Sequence, residues 1–331
     1  MKKHNRILAM MMTAILLAGC GSGGAAPAQD NASAQVQSDQ GNDAALTEPA
    51  GTLSGSEAAG SEAAPAGIQP VSEAAAEPAE GETTVILFAA KSLNRVMDEL
   101  IGIYGSEHPG VRIVGNYDSS GTLMTQIREG AACDVFFSAA QKQMNKLDDQ
   151  GLVTPGSRQN IVNNQVCVVT YKGSGTEVKG LDTLNKAKSL ALADGSVPVG
   201  NYTRIAMVKS GILPENDDPS SYTTSQVSEA LGGVEINECA NVGAVTAAVS
   251  EGSNEAGTVY RSDTYGLEDK LEILEVVSYD LTGDVIYPSA QIINNEADDA
   301  ERKAAAEFNS FLKSAEAAAV FQKYLFDTDV E

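Results

Sequence analysis

Histidine is almost absent from this chain. His4 falls in a leader-like N-terminus, which leaves His108, placed just before Pro109-Gly110 in a turn-like stretch. Neither Ser-His-Asp nor Cys-His catalysis is evident, and no His-rich metal cluster can form. Cysteine is equally sparse. Apart from Cys20 there are Cys133, Cys167 and Cys239, with no CxxC pair and no even framework, so a disulfide scaffold does not fit. Cys133 and Cys167 lie in apolar, strand-like runs and read as core residues, whereas Cys239 precedes a helix and reads as more exposed. No GxGxxG follows a strand and no Walker motif occurs. Asp134, Asp194 and Asp263 read as caps or surface groups, and the chain reads as a non-enzyme. No apolar run reaches the roughly 20 residues of a membrane span. Basic residues are scarce too: 22 Lys and Arg face 45 Asp and Glu, a formal charge of −23. Such a surface repels nucleic acid and anionic lipid. It also repels anionic ligands at long range, so an anion site here must work through short-range donors. A Debye length of about 8 Å makes that tolerable.

What is present divides the chain into parts. Lys2, Lys3 and Arg6 precede an apolar run, Ile7 to Ala18, which ends in Leu17-Ala18-Gly19-Cys20. Residues 1–20 therefore read as a lipoprotein signal peptide whose lipobox leaves Cys20 lipidated at the mature N-terminus. Residues 21–82 are dominated by Ala, Gly, Ser, Pro, Gln and Glu, with no Lys or Arg. They bury too little to offset ordering entropy and read as a disordered tether. A coil of about 60 residues spans roughly 45 Å. The leader carries +3, the tether −10 and Thr83 to Glu331 −16.

The remaining stretch, about 250 residues, alternates strand and helix patterns. Thr84 to Ala89 is a continuous apolar run, as in a strand buried on both faces. Ser92 is a candidate N-cap, and Leu93, Val96, Met97, Leu100, Ile101 and Tyr104 form one helical face. Val111 to Val114 is the next strand. Ser119-Ser120-Gly121 opens a short helix that Gly130 stops. Strands are also expected at Cys133–Phe137, Val166–Thr170, Leu190–Ala193, Gly257–Tyr260, Leu271–Val277 and Val285–Ile293. Helices are expected near Asn145–Gln150, after Pro198, after Asn241, and over Asp298–Lys313 and Ala315–Tyr324. Repeated βα units predict α/β lobes with mostly parallel sheets flanked by helices. Ligands in such sheets bind beyond the carboxyl ends of the strands. Ser92 and Ser120 each stand where a strand gives way to a helix whose first N–H groups are free to meet an anion. Simple helix capping is the other use for either serine.

Six stretches in series resemble the molybdate-binding proteins of ABC importers. They are Ala89-Ala90-Lys91-Ser92-Leu93, Ser119-Ser120-Gly121-Thr122-Leu123, Ala132 to Ala139 (ACDVFFSA), Val197 to Tyr202 (VPVGNY), Asn241 to Val245 (NVGAV) and Gly257 to Asp263 (GTVYRSD). The resemblance covers nearly all of Thr83 to Phe326. It implies a two-lobed periplasmic-binding-protein-like fold of type II with the ligand in the cleft. Lobe I would comprise 83–163 plus 284–331, and lobe II 164–283. It implies molybdate, and with it tungstate, as ligand and no cofactor. It also implies a monomer held outside the cytoplasm by its lipid anchor and partnered by an ABC permease, with no nucleic acid. By position, Ser92 and Ser120 match hydroxyl donors, Val199 and Val242 match backbone N–H donors, and Tyr260 matches a hydroxyl donor from the second lobe. A site of neutral donors suits a fully ionised dianion. The alternative ligand is another oxyanion or small organic anion, such as sulfate or phosphate. Two departures stand out. Lys91 replaces a small residue, and its ammonium is expected to point to solvent. Val199 replaces an alanine, which keeps the N–H but narrows the pocket.

The leader predicts that Cys20→Ser abolishes lipid labelling and releases the protein from membranes. Unchanged labelling of the variant would refute the lipobox reading.

Overall fold

The computed structural model describes residues 81–330. The expected leader, Cys20 and all but the last two residues of the expected tether lie outside that range. The first elements are β1 (Thr83–Ala90), α1 (Asn94–Glu107), β2 (Val111–Asp118), α2 (Ser120–Arg128), β3 (Val135–Phe137), α3 (Gln141–Asp149) and β4 (Gln159–Asn164). A second series follows: β5 (Val166–Tyr171), β6 (Ser189–Ala193), α4 (Pro198–Lys209), α5 (Thr224–Ala230), β7 (Glu235–Cys239), α6 (Val242–Ser250), β8 (Ala256–Tyr260) and β9 (Leu271–Val276). The chain ends with α7 (Tyr279–Thr282), β10 (Val285–Gln291), α8 (Asp299–Phe311) and α9 (Ala315–Lys323).

These strands form two five-stranded sheets, ordered β2-β1-β3-β10-β4 and β7-β6-β8-β5-β9. In the first, β1 is parallel to β2 and β3, while β10 runs antiparallel to β3 and β4. In the second, β6 is parallel to β7 and β8, while β5 runs antiparallel to β8 and β9. The two lobes are thus α/β as expected, but the sheets are mixed rather than mostly parallel. The chain passes between the sheets at Gln165 and again between β9 and β10. On each pass the strand beyond the crossing, β5 or β10, enters antiparallel to the βα series it joins. The C-terminal helix α8 packs across β1 and β10, and α9 packs on α1.

Local sequence explains most of this. Val85, Leu87, Phe88, Ala89 and Ala90 of β1 are buried, as are Val96, Met97, Leu100 and Tyr104 along one face of α1. Gly130 (φ 94°) follows α2 in the left-handed conformation that ends helices. Three elements had no strong signal. β4 (QNIVNN) is rich in amides, α5 is short, and β7 (EINEC) is an edge strand whose Glu235 and Glu238 face solvent. Cys239 ends β7 and is 5% exposed, so it is a core residue like Cys133 and Cys167 and not the exposed thiol expected. Asp134, Asp194 and Asp263 each accept a backbone N–H, from Ile86 (2.7 Å), Ser196 (2.8 Å) and Tyr260 (2.9 Å). Among the described residues, no helix is long and apolar enough to cross a membrane.

Asp263 sits in the single turn after β8. Burial raises its carboxyl from 3.8 to about 7, against the opposing N–H of Tyr260 and the charge of Arg95. The folded protein therefore keeps a proton that the unfolded chain releases as pH rises through the ordinary carboxylate range. This group is neutral to stability at the acid end, and it withdraws stability as pH rises from about 4 towards about 7. Asp263→Asn should make the melting temperature less dependent on pH over that window. Parallel pH–melting curves for wild type and variant would refute the assignment.

Candidate functional site

Six strand ends meet between the sheets. The carboxyl ends of β1, β2 and β3 bring Lys91-Ser92, Ser119-Ser120 and Ala139. Those of β6, β7 and β8 bring Val197-Pro198-Val199, Val242 and Tyr260. Together these residues line one cavity of about 10 Å³, room for the centre of roughly one water-sized sphere. All five residues singled out from the sequence are therefore brought together. Two larger hollows, each about 310 Å³, contain none of the five.

The hydroxyls around the cavity have defined roles, and capping is not among those of Ser92 and Ser120. Ser119 is the cap of α2, its Oγ accepting from the Thr122 N–H at 3.1 Å. Ser120 Oγ instead accepts the N–H of Ala139 at 2.9 Å, joining the ends of β2 and β3. Ser92 makes no cap bond; its Oγ lies 2.9 Å from Tyr287 Oη. Either hydroxyl can donate in that pair, and its neighbours favour one direction. Asn164 Oδ1 accepts the Gln165 N–H (2.9 Å), which fixes the amide so that Nδ2 donates to Tyr287 Oη (3.1 Å) and to Ser262 Oγ (2.9 Å). With Tyr287 Oη accepting from Asn164, its proton is available to Ser92, an arrangement that would leave the Ser92 proton for the cavity. The Ser120 proton is likewise left over once its oxygen has accepted from Ala139.

Tyr260 is the most exacting member. Its side chain is 1% exposed and its hydroxyl has no hydrogen-bond partner in the protein. Burial, with Tyr287 and Tyr202 nearby, pushes its pKa well above the ordinary phenol value. It is therefore a neutral donor without an acceptor, a costly arrangement for a buried polar atom unless a ligand supplies one.

Two helix starts complete the ring. Val199 is the second residue of α4, after Pro198, and Val242 the first of α6. N–H groups at these positions have no acceptor within their own helix. Asn241 Oδ1 caps α6 by accepting from Ala244 (3.0 Å) and not from Val242. Gly200 lets α4 begin hard against β6, since a Cβ there would lie 2.1 Å from the Asp194 carbonyl oxygen. Fully buried Arg204 buckles this junction, donating to the carbonyls of Ala193 (2.8 Å), Gly200 (2.9 Å) and Tyr222 (2.8 Å).

Contacts across the lobes flank the cavity. Asp118 Oδ1 accepts from both the Ser119 N–H (2.7 Å) and Asn241 Nδ2 (3.0 Å), so one carboxylate ties the start of α2 to the cap of α6. Gln143 Nε2 donates to the Ser196 carbonyl at 3.3 Å, and Lys142 Nζ pairs with Asp218 at 3.0 Å. The Arg95 guanidinium donates to the Tyr265 carbonyl. Lys91, expected in solvent, is half-buried and lines the cavity.

The sequence model of the bacterial extracellular solute-binding proteins matches residues 84–327. The chain belongs to that family. It is 31% identical over 254 residues to the molybdate-binding protein of Escherichia coli, covering 75% of this chain and 89% of the relative. It is 30% identical over 251 residues to a Bacillus subtilis protein provisionally named an ABC transporter substrate-binding lipoprotein, covering 76% of this chain and 88% of that one. Among solved structures, the sulfate-binding protein of Mycobacterium tuberculosis shares the fold, with a TM-score of 0.61 and 15% identity over 75% of this chain and 88% of its own.

The cavity of this solute-binding protein offers donors and no carboxylate, and the family is not one of enzymes. Among the described residues, no group of three or more His, Cys, Asp or Glu is placed to hold a metal ion. Tyr287 and Asn164 support Ser92 but left no motif of their own, because they reach it through long-range contacts, and Ala139, inside a quoted motif, gave no sign that its N–H would hold Ser120. The two key hydroxyls differ in what they do for the fold. Ser120→Ala strands the buried Ala139 N–H and should lower stability by about 1–3 kcal/mol. Tyr260→Phe removes a hydroxyl that nothing accepts from and should leave stability unchanged or raised. Thermal melts without ligand check this, and equal losses in both variants would refute it.

Proposed function

We propose that this protein captures molybdate outside the cytoplasm and hands it to an ABC permease. The observation that carries this reading is the buried, partnerless hydroxyl of Tyr260, aimed at a cavity that also receives Ser92, Ser120 and the helix starts at Val199 and Val242. A tetrahedral dianion presents acceptors on every side and would satisfy these donors together. Hydrogen phosphate would bring a proton that needs an acceptor, and the five proposed ligands include no carboxylate. Sulfate presents the same acceptors on shorter bonds, so discrimination against it falls to cavity size. Tungstate, nearly equal in size to molybdate, should bind as well. The relative from Escherichia coli supports molybdate as the ligand. The sulfate-binding protein of like fold keeps sulfate as the second reading, because fold does not decide the ligand.

In this reading lobe I (83–163 plus 284–331) and lobe II (164–283) close on the anion. The protein acts as a monomer, with Cys20 lipidated and residues 21–82 as its tether. The provisional lipoprotein name of the Bacillus subtilis relative is consistent with such an anchor.

A panel of oxyanions in thermal melts tests the assignment. Molybdate and tungstate should raise the melting temperature, with about 2.7 kcal/mol of stabilisation at 100 times Kd. Sulfate and phosphate at the same concentration should not. By calorimetry, Tyr260→Phe should weaken molybdate binding roughly 10- to 150-fold, the loss of one hydrogen bond to a charged ligand. A larger shift with sulfate would favour the second reading, and wild-type affinity in Tyr260→Phe would refute the assigned site.

A further inference from the structure

The neutral donors leave one lining residue unexplained. Lys91 follows β1 directly, and its side chain does not leave the cleft. It lines the small cavity and an adjoining hollow of about 190 Å³ that also touches Arg95, Gly243 and Asp263. Its stem crosses to the other lobe and lies on Gly243, the second residue of α6. A Cβ at Gly243 would come within 2.9 Å of Lys91 Cγ and 3.1 Å of Cε. Only a residue without a side chain lets the lysine pass there unshifted. The four methylenes therefore roof the seam between the end of β1 and the start of α6, as long cationic side chains do when they cover apolar surface and keep the charge at the edge.

The charges around it make this placement informative. Burial raises the carboxyl of Asp98 on α1 and the charge of Lys91 opposes that rise, with no close ion pair formed between them. Asp118 is held by Asn241 and the Ser119 N–H. Asp263 is held by the Tyr260 N–H. Arg95 is engaged with Tyr265 across the lobes. Lys91 is thus the lysine at the wall of a cavity that nearby carboxylates and a charge of −16 over Thr83 to Glu331 would otherwise render unwelcoming to a dianion.

Resting on the molybdate reading above, we propose that Lys91 is an affinity-determining residue of this site. Its stem seals the cavity against Gly243, and its ammonium supplies the counter-charge that the hydroxyl and amide donors lack. On this proposal the charge at the end of that stem offsets the repulsion of the acidic surface where the anion enters.

The test compares wild type, Lys91→Met and Lys91→Arg by calorimetric titration with sodium molybdate, at about 0.01 M and about 1 M salt, where the Debye lengths are about 30 and 3 Å. Methionine keeps the length and apolar character of the stem and removes the charge. At low salt Lys91→Met should bind about tenfold more weakly than wild type. At high salt the gap should narrow to about twofold. Lys91→Arg should stay near wild type at both. Melts without ligand report whether each variant is folded. Equal affinities of Lys91→Met and wild type at low salt would overturn the proposal. A deficit that is the same at both salts would overturn the counter-charge and leave only packing. Failure of the wild-type protein itself to bind molybdate would overturn the molybdate reading, and this inference with it.

Discussion

A phenol hydroxyl sealed from water with no acceptor is the constraint on which this structure turns. Tyr260 is placed so by β8, which pairs with β5 on one side and β6 on the other and cannot shift without disturbing both. Its N–H is held by Asp263, so even the backbone at the strand end is fixed. Leaving such a donor unmatched costs of the order of 1–3 kcal/mol. A fold that accepts this cost holds the donor ready, and a ligand with acceptors gains from not having to organise it.

The same economy governs the opposite wall. Ser120 accepts from the Ala139 N–H and keeps a proton for the cavity, and Ser92 does the same when Tyr287 donates to it. The chain of bonds that favours this begins at the Gln165 N–H, in the segment joining the sheets, and runs through Asn164 and Tyr287 to Ser92. The chain crossing thus supports the Ser92 corner of the site.

Much of the site was legible because its parts sit at junctions that leave a local signature. Pro198 before Val199, Asn241 before Val242, and serines just beyond the ends of strands all mark helix starts. The alternation of strand and helix likewise gave the α/β class. What escaped reading was long-range. The polar β4 and the acidic edge strand β7 lack the apolar pattern of buried strands, and their place follows only from partners far along the chain. That β5 and β10 run antiparallel to their neighbours depends on where the chain crosses, which no local window contains. Cys239 looked exposed because it precedes a helix start, yet as the last residue of β7, opposite Ala193 of β6, it is buried. Lys91 looked solvent-bound because lysines usually are, and only the missing side chain at Gly243, in the other lobe, reveals its path. Ser120 looked like a cap because the true cap, Ser119, is its neighbour of the same type.

The outer strands of the second sheet have a further consequence. β7 and β9 are its two edges, and their exposed backbone is the kind of surface on which another chain can add a strand. Glu235 and Glu238 stand on one edge and Glu272 on the other, all facing solvent, beside the exposed Ile273 and Val276. Edge-to-edge docking of two copies would force these carboxylates together. Where many copies share one surface at high density, that repulsion keeps neighbouring sheets from fusing into a continuous ribbon.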